Sequence, residues 1–554
     1  MNNEVDLFLI SLSIQILAVM IVPFISEPRK ASAIVHLLLL VSLAAGFANT
    51  LGALIHPQPP TEHILYKLPS DLFLFDPLGL YFLAIIQLIA IPTTIYSYSY
   101  FNHYSGTDKP VKSTAIFFVT LLVSTQLVAI SNHAILFLIS WELMSISAYL
   151  GMIFEKEKKE VQTGSFYYLI ISHVAMYLLF IFFILLHHRT GSWLFSNFHL
   201  SPEAGHVFIL LYLIGLIAFG IKAGLMPFHF WLPRAHPIAP SALSAFLSGV
   251  IIKMGIFGIL RTLQFLSPAP EWIGWMILVV SMVSAVFGVW YALAQHDIKQ
   301  LLAYHSVENI GIIGMGIGIG IIGAAHHSIP VQFLGFGGAL LHTLNHAIFK
   351  NLLFIGSGII SQNLGTRNIE LMGGLVHRGK YFALLFLIGS VAICGIPPFN
   401  GFISEFIIFN GFFATAHELK HYYPLLMLLL TVGLALVGGL AVACFSKINS
   451  IMFLGTPRKE ISHFDVSVYD YLSLGILASL CIVIGFFPQP FIHVLNGILA
   501  DGFIQGASSS SKININWFNI SFTFALLILC VVLVYLLKFF SQRIYGKRKS
   551  PAWG

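Results

Sequence analysis

The sequence predicts an all-α polytopic membrane protein of about 15 transmembrane helices, arranged as two inverted five-helix repeats that each contain one broken helix. Three observations carry that expectation. Of 554 residues 57% are hydrophobic and 9% charged, with a mean hydropathy of +0.88, whereas a soluble domain is about 25% charged. Apolar stretches long enough to cross a bilayer core of about 30 Å recur along the whole chain. Two of these stretches are interrupted by proline clusters that lie about 180 residues apart, the pattern of a duplicated transporter half.

The spans run roughly 5–25, 31–55, 76–100, 113–130, 132–153, 163–187, 205–226, 241–262, 271–294, 301–325, 330–360, 381–398 continuing into 402–416, 423–446, 469–487 and 517–540. The first lacks the basic n-region and small-residue cleavage site of a signal peptide and is read as a span. Basic residues near helix ends are retained on the cytoplasmic side. With "MNNEVD" outside, the inward loops carry Arg29, Lys30, Lys109, Lys112, Lys156, Lys158, Lys159, Arg234, Lys299, Arg367, Arg378, Lys380, Lys447, Arg458 and Lys459, followed by a basic tail. The outward loops hold Lys67, Arg189, Arg261, Lys420 and Lys512. The chain is therefore expected in the cell inner (plasma) membrane, N-terminus outside and C-terminus cytoplasmic. Its net charge of +6 describes a cytoplasmic rim that sets topology or docks a partner subunit, and nothing points to nucleic acid.

Cys394, Cys444, Cys481 and Cys530 stand singly in apolar stretches, without the clustered thiolates an iron–sulfur cluster or structural zinc needs. No cofactor or metal is expected. The stretch "GIIGMGIGIGIIG" (311–323) lies within a span, with no strand before it, so its small residues point to close helix packing rather than to nucleotide binding.

The informative residues are the buried charges. Lys222, Lys253 and Lys350 fall in no loop, and Glu142 and Glu405 stand inside apolar stretches. A charge at the bilayer centre costs about 2.5–3.5 kcal/mol on insertion scales, so one alone can be a structural ion pair while five together point to function. His342, His346 and Lys350 stand at i, i+4 and i+8, on one helix face spanning about 12 Å. Imidazole titrates near neutral pH, and a desolvated lysine also exchanges protons there, so such a stripe can relay protons. The histidine pair could instead hold a metal, but no carboxylate or thiol is near in sequence and the stretch is not H-E-x-x-H. His173, His229, His305 and Glu308 are secondary candidates; each alone fits a hydrogen-bonded interior residue as well as a relay member.

Lys222 is followed by Pro227, Pro233, Pro237 and Pro240, and Glu405 is preceded by Pro397 and Pro398. Proline removes a donor and clashes with the preceding turn, and broken backbone at membrane depth is tolerated only against protein or a wet cavity. Each break thus places a charge beside such a cavity. The expected divisions are 1–110 (helices 1–3), 111–262 (first repeat, helices 4–8), 263–448 (second repeat, helices 9–13) and 449–554 (helices 14–15 and the basic tail).

"SWELMS", "KAGLMPFHFWLPRAHPIAPSALSAFLSGVIIKMGIFGILR", "QHDIKQLLAYHSVENIGI", "LLHTLNHAIFKNLLF" and "GIPPFNGFISEF" resemble the antiporter-like, proton-pumping membrane subunits shared by respiratory complex I, multisubunit sodium/proton antiporters and energy-converting hydrogenases. The resemblance covers roughly residues 75–455, and "WELMS" with "AYHSVENIG" is similar to the large membrane subunits of formate hydrogenlyase and hydrogenase-4. It implies that Glu142 and Lys222 are the glutamate and lysine of spans 5 and 7 and that Lys253 is the bridging residue of span 8. It further implies that His342, His346 and Lys350 form the central relay and that Glu405 is the terminal residue of span 12. The function expected is translocation of protons, or of protons in exchange for Na+, coupled to a reaction or ion movement in partner membrane and cytoplasmic subunits. A switchable Glu142–Lys222 ion pair would open and push a proton toward Lys253, Lys350 and out through Glu405. Alternatives are a cation/proton antiporter subunit and a subunit or scaffold of an inorganic-carbon uptake complex.

Overall fold

The computed structural model describes residues 3–25, 27–55, 71–104, 111–419, 423–458 and 464–504, with isolated helical positions between 526 and 538. The described residues form α1 (Asn3–Ile21), α2 (Pro28–Ile55), α3 (Pro77–Asn102), α4 (Val111–Ile130), α5 (Ala134–Met152), α6 (Lys159–Thr190), α7 (His206–Ala223), α8 (Leu232–Ile238), α9 (Ser241–Phe246) and α10 (Ile252–Phe265). There follow α11 (Glu271–Leu293), α12 (Ile298–Ala325), α13 (Ile329–Leu364), α14 (Leu375–Arg378), α15 (Lys380–Ile393), α16 (Asn400–Glu418), α17 (Tyr423–Asn449), α18 (Val468–Phe486) and α19 (Gln489–Gly502).

Twelve described helical stretches are long and apolar enough to cross a membrane. Beside them stand α13, whose apolarity is diluted by its own His, Asn and Lys residues, and the α15–α16 pair, divided by a break. The molecule is thus an all-helical, multi-pass membrane protein with about 12–14 apolar spanning helices. Its outer faces stay apolar where water would forbid it: Ile139, Tyr177, Trp290 and Leu425 are each more than 60% exposed. The expected fifteenth span, 517–540, lies largely outside the described residues. The short helix α19, packed against α3 and α13, has no counterpart in the sequence reading.

At the centre, Ser241–Phe265 is wholly buried and α12 nearly so. The glycine run of α12 explains how. A Cβ at Gly311, Gly314 or Gly318 would strike α11, and one at Gly316, Gly320 or Gly323 would strike α13. Two glycine faces let α12 sit within backbone contact of both neighbours, the packing role expected of small residues in membranes.

Two basic residues read as loop charges, Arg261 outward and Lys299 inward, are buried instead. Arg261, 4% exposed, lies within α10 and forks onto the Asp76 carboxylate at the N-cap of α3, one arm at 2.6 Å. Lys299, in the first turn of α12, donates to the Ala239 carbonyl at 2.9 Å. Both lie close enough to a helix end for a long side chain to fold back onto a partner, which loop placement from sequence overlooks. The three described cysteines, Cys394, Cys444 and Cys481, are buried free thiols, and Cys530 lies outside the described residues.

Candidate functional site

Both proline-marked breaks are present, and each is built on a left-handed glycine. Helix α7 ends at Gly224 (φ 80), whose N–H closes onto the carbonyls of Gly220 and Ile221. The α15–α16 break passes through Gly395 (φ 62), whose N–H closes onto Ala392. A residue with a Cβ rarely adopts that backbone. Lys222 stands in the last turn before the first break, and Glu405 one turn into α16 after the second, its carboxylate lying against Gly395.

The Lys222 ammonium is 1% exposed. It donates to Ser145 Oγ at 2.9 Å and Tyr168 Oη at 3.2 Å, and lies 5.6 Å and 5.3 Å from the ring centroids of Trp141 and Tyr168. Glu142 does not pair with it in this structure. Its Oε1 lies 3.0 Å from His173 Nε2, while Oε2 is buried without a hydrogen-bond partner. Ser145, one turn on from Glu142, takes the place the carboxylate was expected to fill. Two hydroxyls and two ring faces satisfy a buried cation without an opposite charge, and the carboxylate turns to the half-exposed edge of α5 and α6.

Between α9 and α10 one turn widens to a π-helix, Leu247–Ile251, an irregularity frequent at functional sites. Lys253 follows it directly and donates to the Ser248 carbonyl, and Ser248 Oγ lies 2.9 Å from Ser306 Oγ on α12. Ser306 Oγ and the Lys350 ammonium both reach the Leu302 carbonyl. Ser248 and Ser306 thus link the segment that holds Lys253 to the turn of α12 that Lys350 reaches. One turn on, His305 Nδ1 contacts the Glu308 carboxylate, both fully buried.

His342, His346 and Lys350 share α13, all 0% exposed. His342 is held at both nitrogens: Nδ1 to Ser404 Oγ at 2.9 Å, Nε2 to Asn309 Oδ1 at 3.1 Å. Asn345 Nδ2 donates to Ser404 Oγ at 3.0 Å and to the Asn400 carbonyl at 2.7 Å, tying α13 to the start of α16 beside Glu405. The His342 and His346 rings lie nearly parallel, 6.4 Å apart, and neither nitrogen of His346 has a partner. Buried polar atoms left so call for water. The arrangement places buried titratable groups on α7, α10, α12, α13 and α16, between and beside the two breaks.

Residues 131–434 match the family described as "NADH:quinone oxidoreductase/Mrp antiporter, TM". The chain is 31% identical over 454 residues to formate hydrogenlyase subunit 3 of Escherichia coli K12, with 82% of this chain and 72% of that protein aligned. The chain belongs to this antiporter-like family. It is also 37% identical over 421 residues to hydrogenase-4 component B of the same organism, covering 75% of this chain but only 62% of that protein's length. In fold it is similar to a chain of the Mrp complex from Dietzia sp. DQ12-45-1b, with a TM-score of 0.75 at 18% identity over 91% of this chain and 98% of that one.

Within this antiporter-like chain, six of the seven residues singled out from sequence are buried, and Glu142 is partly exposed. Of the secondary candidates, Glu308 and His305 stand beside Lys350's turn of α12 and His173 holds Glu142, whereas His229 sits in the Phe228–Trp231 turn beside Phe230 and Tyr304. Sequence reasoning missed the neutral members. Ser145, Tyr168, Asn309, Asn345 and Ser404 carry no cost that marks them out in an apolar stretch; for Asn345 alone a signal was available, its place inside the histidine stripe.

Proposed function

We propose that this chain moves protons across the membrane, or protons in exchange for Na+, through Glu142, Lys222, Lys253, His342, His346, Lys350 and Glu405, driven by a reaction or ion movement in partner subunits. The observation that carries this is the unbroken burial of three lysines and two histidines along the fold's central helices, bridged by hydroxyls and carbonyls rather than neutralised by carboxylates. Groups so placed are costly in a membrane and pay no structural return as ion pairs. In this reading Glu142 and His173 form the switch at the edge of the file, and rotation of Glu142 toward Lys222 is the step that opens and closes it.

The two breaks at Gly224 and Gly395, each beside one member of the file, support two five-helix repeats of opposite topology, residues 111–262 and 263–448. The likeness to hydrogenase-4 component B and formate hydrogenlyase subunit 3 supports assembly with hydrogenase-type partners, and the placement of basic residues in alternate loops supports an N-terminus outside. The family description and the Mrp likeness support the second reading, a cation/proton antiporter subunit.

The test is purification of the chain with its co-eluting subunits and reconstitution into vesicles carrying a pH-sensitive dye. Coupled proton movement that persists without sodium supports the first reading, and strict dependence on Na+ supports the second. Turnover of the complex with no proton movement under either condition overturns both.

A further inference from the structure

The relay described above leaves open how Lys350 communicates with the rim that carries Lys112, Lys156 and Lys158. Helix α3 ends at that rim in "YSYSYFNHY". Tyr96, Tyr100 and Tyr104 are spaced four apart and share one face, with ring centroids 5.7 Å and 5.6 Å from one to the next. Tyr104 is half-buried and packs on Phe154, 5.2 Å away, at the end of α5. Tyr100 is buried, and Tyr96 is 0% exposed with a hydroxyl that has no hydrogen-bond partner. That hydroxyl shares the space beside Gly358 with Ser241 Oγ: a methyl group added at Gly358 would strike both.

Helix α13 continues the file. Gly358, Phe354 and Lys350 are spaced four apart on one face. The Phe354 ring carries His236 stacked at 4.8 Å on one contact and the Lys350 ammonium at 5.8 Å on another. His236 is 0% exposed, and both of its ring nitrogens lack a partner. A core histidine kept for packing has no use for two unsatisfied nitrogens, each of which costs free energy unless water reaches it.

We propose that protons pass between the basic rim and Lys350 along Tyr104, Tyr100, Tyr96, Ser241 and His236, with bridging water at the unpartnered hydroxyl and imidazole. Each hydroxyl accepts a proton on one side and releases its own on the other, and His236 takes a proton at one nitrogen and gives one up at the other, so every group returns to its starting composition. From Tyr104 to Tyr96 the file descends about 12 Å, at 1.5 Å per residue. This rests on the reading that Lys350 carries protons.

The test measures proton flux by the intact complex in inverted membrane vesicles, at equal abundance of each variant. Tyr96→Phe, which removes one oxygen and keeps the ring, is expected to slow flux about tenfold or more, and His236→Leu likewise. Tyr98→Phe, on another face of α3 against His36 and Tyr469, is expected to leave it unchanged. Lys350→Met serves as the reference for a broken relay. Wild-type flux in both Tyr96→Phe and His236→Leu, with Lys350→Met inactive, overturns this file and leaves the central relay standing. Wild-type flux in Lys350→Met overturns the relay itself and the destination with it. Equal slowing by Tyr98→Phe and Tyr96→Phe also overturns the file, since the loss would then not depend on which face carries the hydroxyl.

Discussion

Replacing Lys350 by methionine and by arginine separates a proton carrier from a structural cation. The side chain is 0% exposed, and among the described residues it donates to the Leu302 carbonyl, which also receives Ser306 Oγ at 3.2 Å. Lys350→Met loses a charge-assisted hydrogen bond worth about 1.5–3 kcal/mol but also removes the desolvation of a buried ion, which costs several kcal/mol. Leu302 keeps a partner and methionine fills nearly the same volume, so the two terms roughly cancel and the protein is expected to remain folded and abundant. Flux is a different matter: a missing positioned acid–base group costs about 10²–10⁴ in rate, and the step from Lys253 toward His346 is lost. Lys350→Arg keeps the charge but does not release its proton in a protein. A structural cation predicts that arginine works and methionine fails; a relay predicts that both fail. The measurement is proton flux by the reconstituted complex, normalised to chain content, with melting in detergent as the control for folding. Wild-type flux in the arginine variant refutes the relay assignment of Lys350.

At the switch, Glu142→Gln is expected to abolish coupled transport with normal insertion, while Glu142→Asp, which keeps the charge on a shorter arm, retains part of it; full activity in the glutamine variant defeats the switch. Gly224→Ala is expected to destabilise by about 2–5 kcal/mol, from the left-handed backbone and the collision of its methyl with Leu232, read as a lower melting temperature in detergent. For topology, a cysteine at Arg189 is expected to react with an impermeant thiol reagent applied outside cells and one at Lys158 is not; labelling at Lys158 reverses the orientation.

Charge in an apolar stretch is visible in sequence because it is costly there, and that cost explains what was legible. Lys222, Lys253 and Lys350 stood out one by one, as did the two breaks, because proline clusters and lysines have few reasons to be at membrane depth. The glycine run of α12 was read as packing and packs on two helices. What sequence hid was partner choice. Glu142 lies on α5, within the span read for it, but whether its carboxylate faces Lys222 or His173 depends on the rotation of α5 and on Ser145 one turn away, and a span's apolar pattern is nearly uniform around its circumference. Arg261 and Lys299 were misplaced for a related reason: both are long enough to fold back into the protein from a helix end. Serines and asparagines blend into membrane helices, where they are common as interhelical glue.

The two histidines of the central stripe differ in a way that bears on coupling. His342 has both nitrogens fixed, by Asn309 on α12 and Ser404 on α16, and Asn345 ties the same serine to the backbone of Asn400 at the second break. His346, one turn nearer Lys350, has neither nitrogen held. A fixed imidazole passes a proton only if its hydrogen bonds to Ser404 and Asn309 rearrange; a free one depends on water reaching it. Placed in series in the proposed relay, they would make it sensitive to two separate conditions, hydration beside Lys350 and the seating of α16 against α13. On the proposed reading, a shift at the second break would move Ser404 and so act on His342 without touching a charged residue, whereas a change near Lys350 would act on the space beside His346. If the proposed relay runs from Lys350 to Glu405, conduction would need both at once, and that requirement would keep a file of buried titratable groups from leaking.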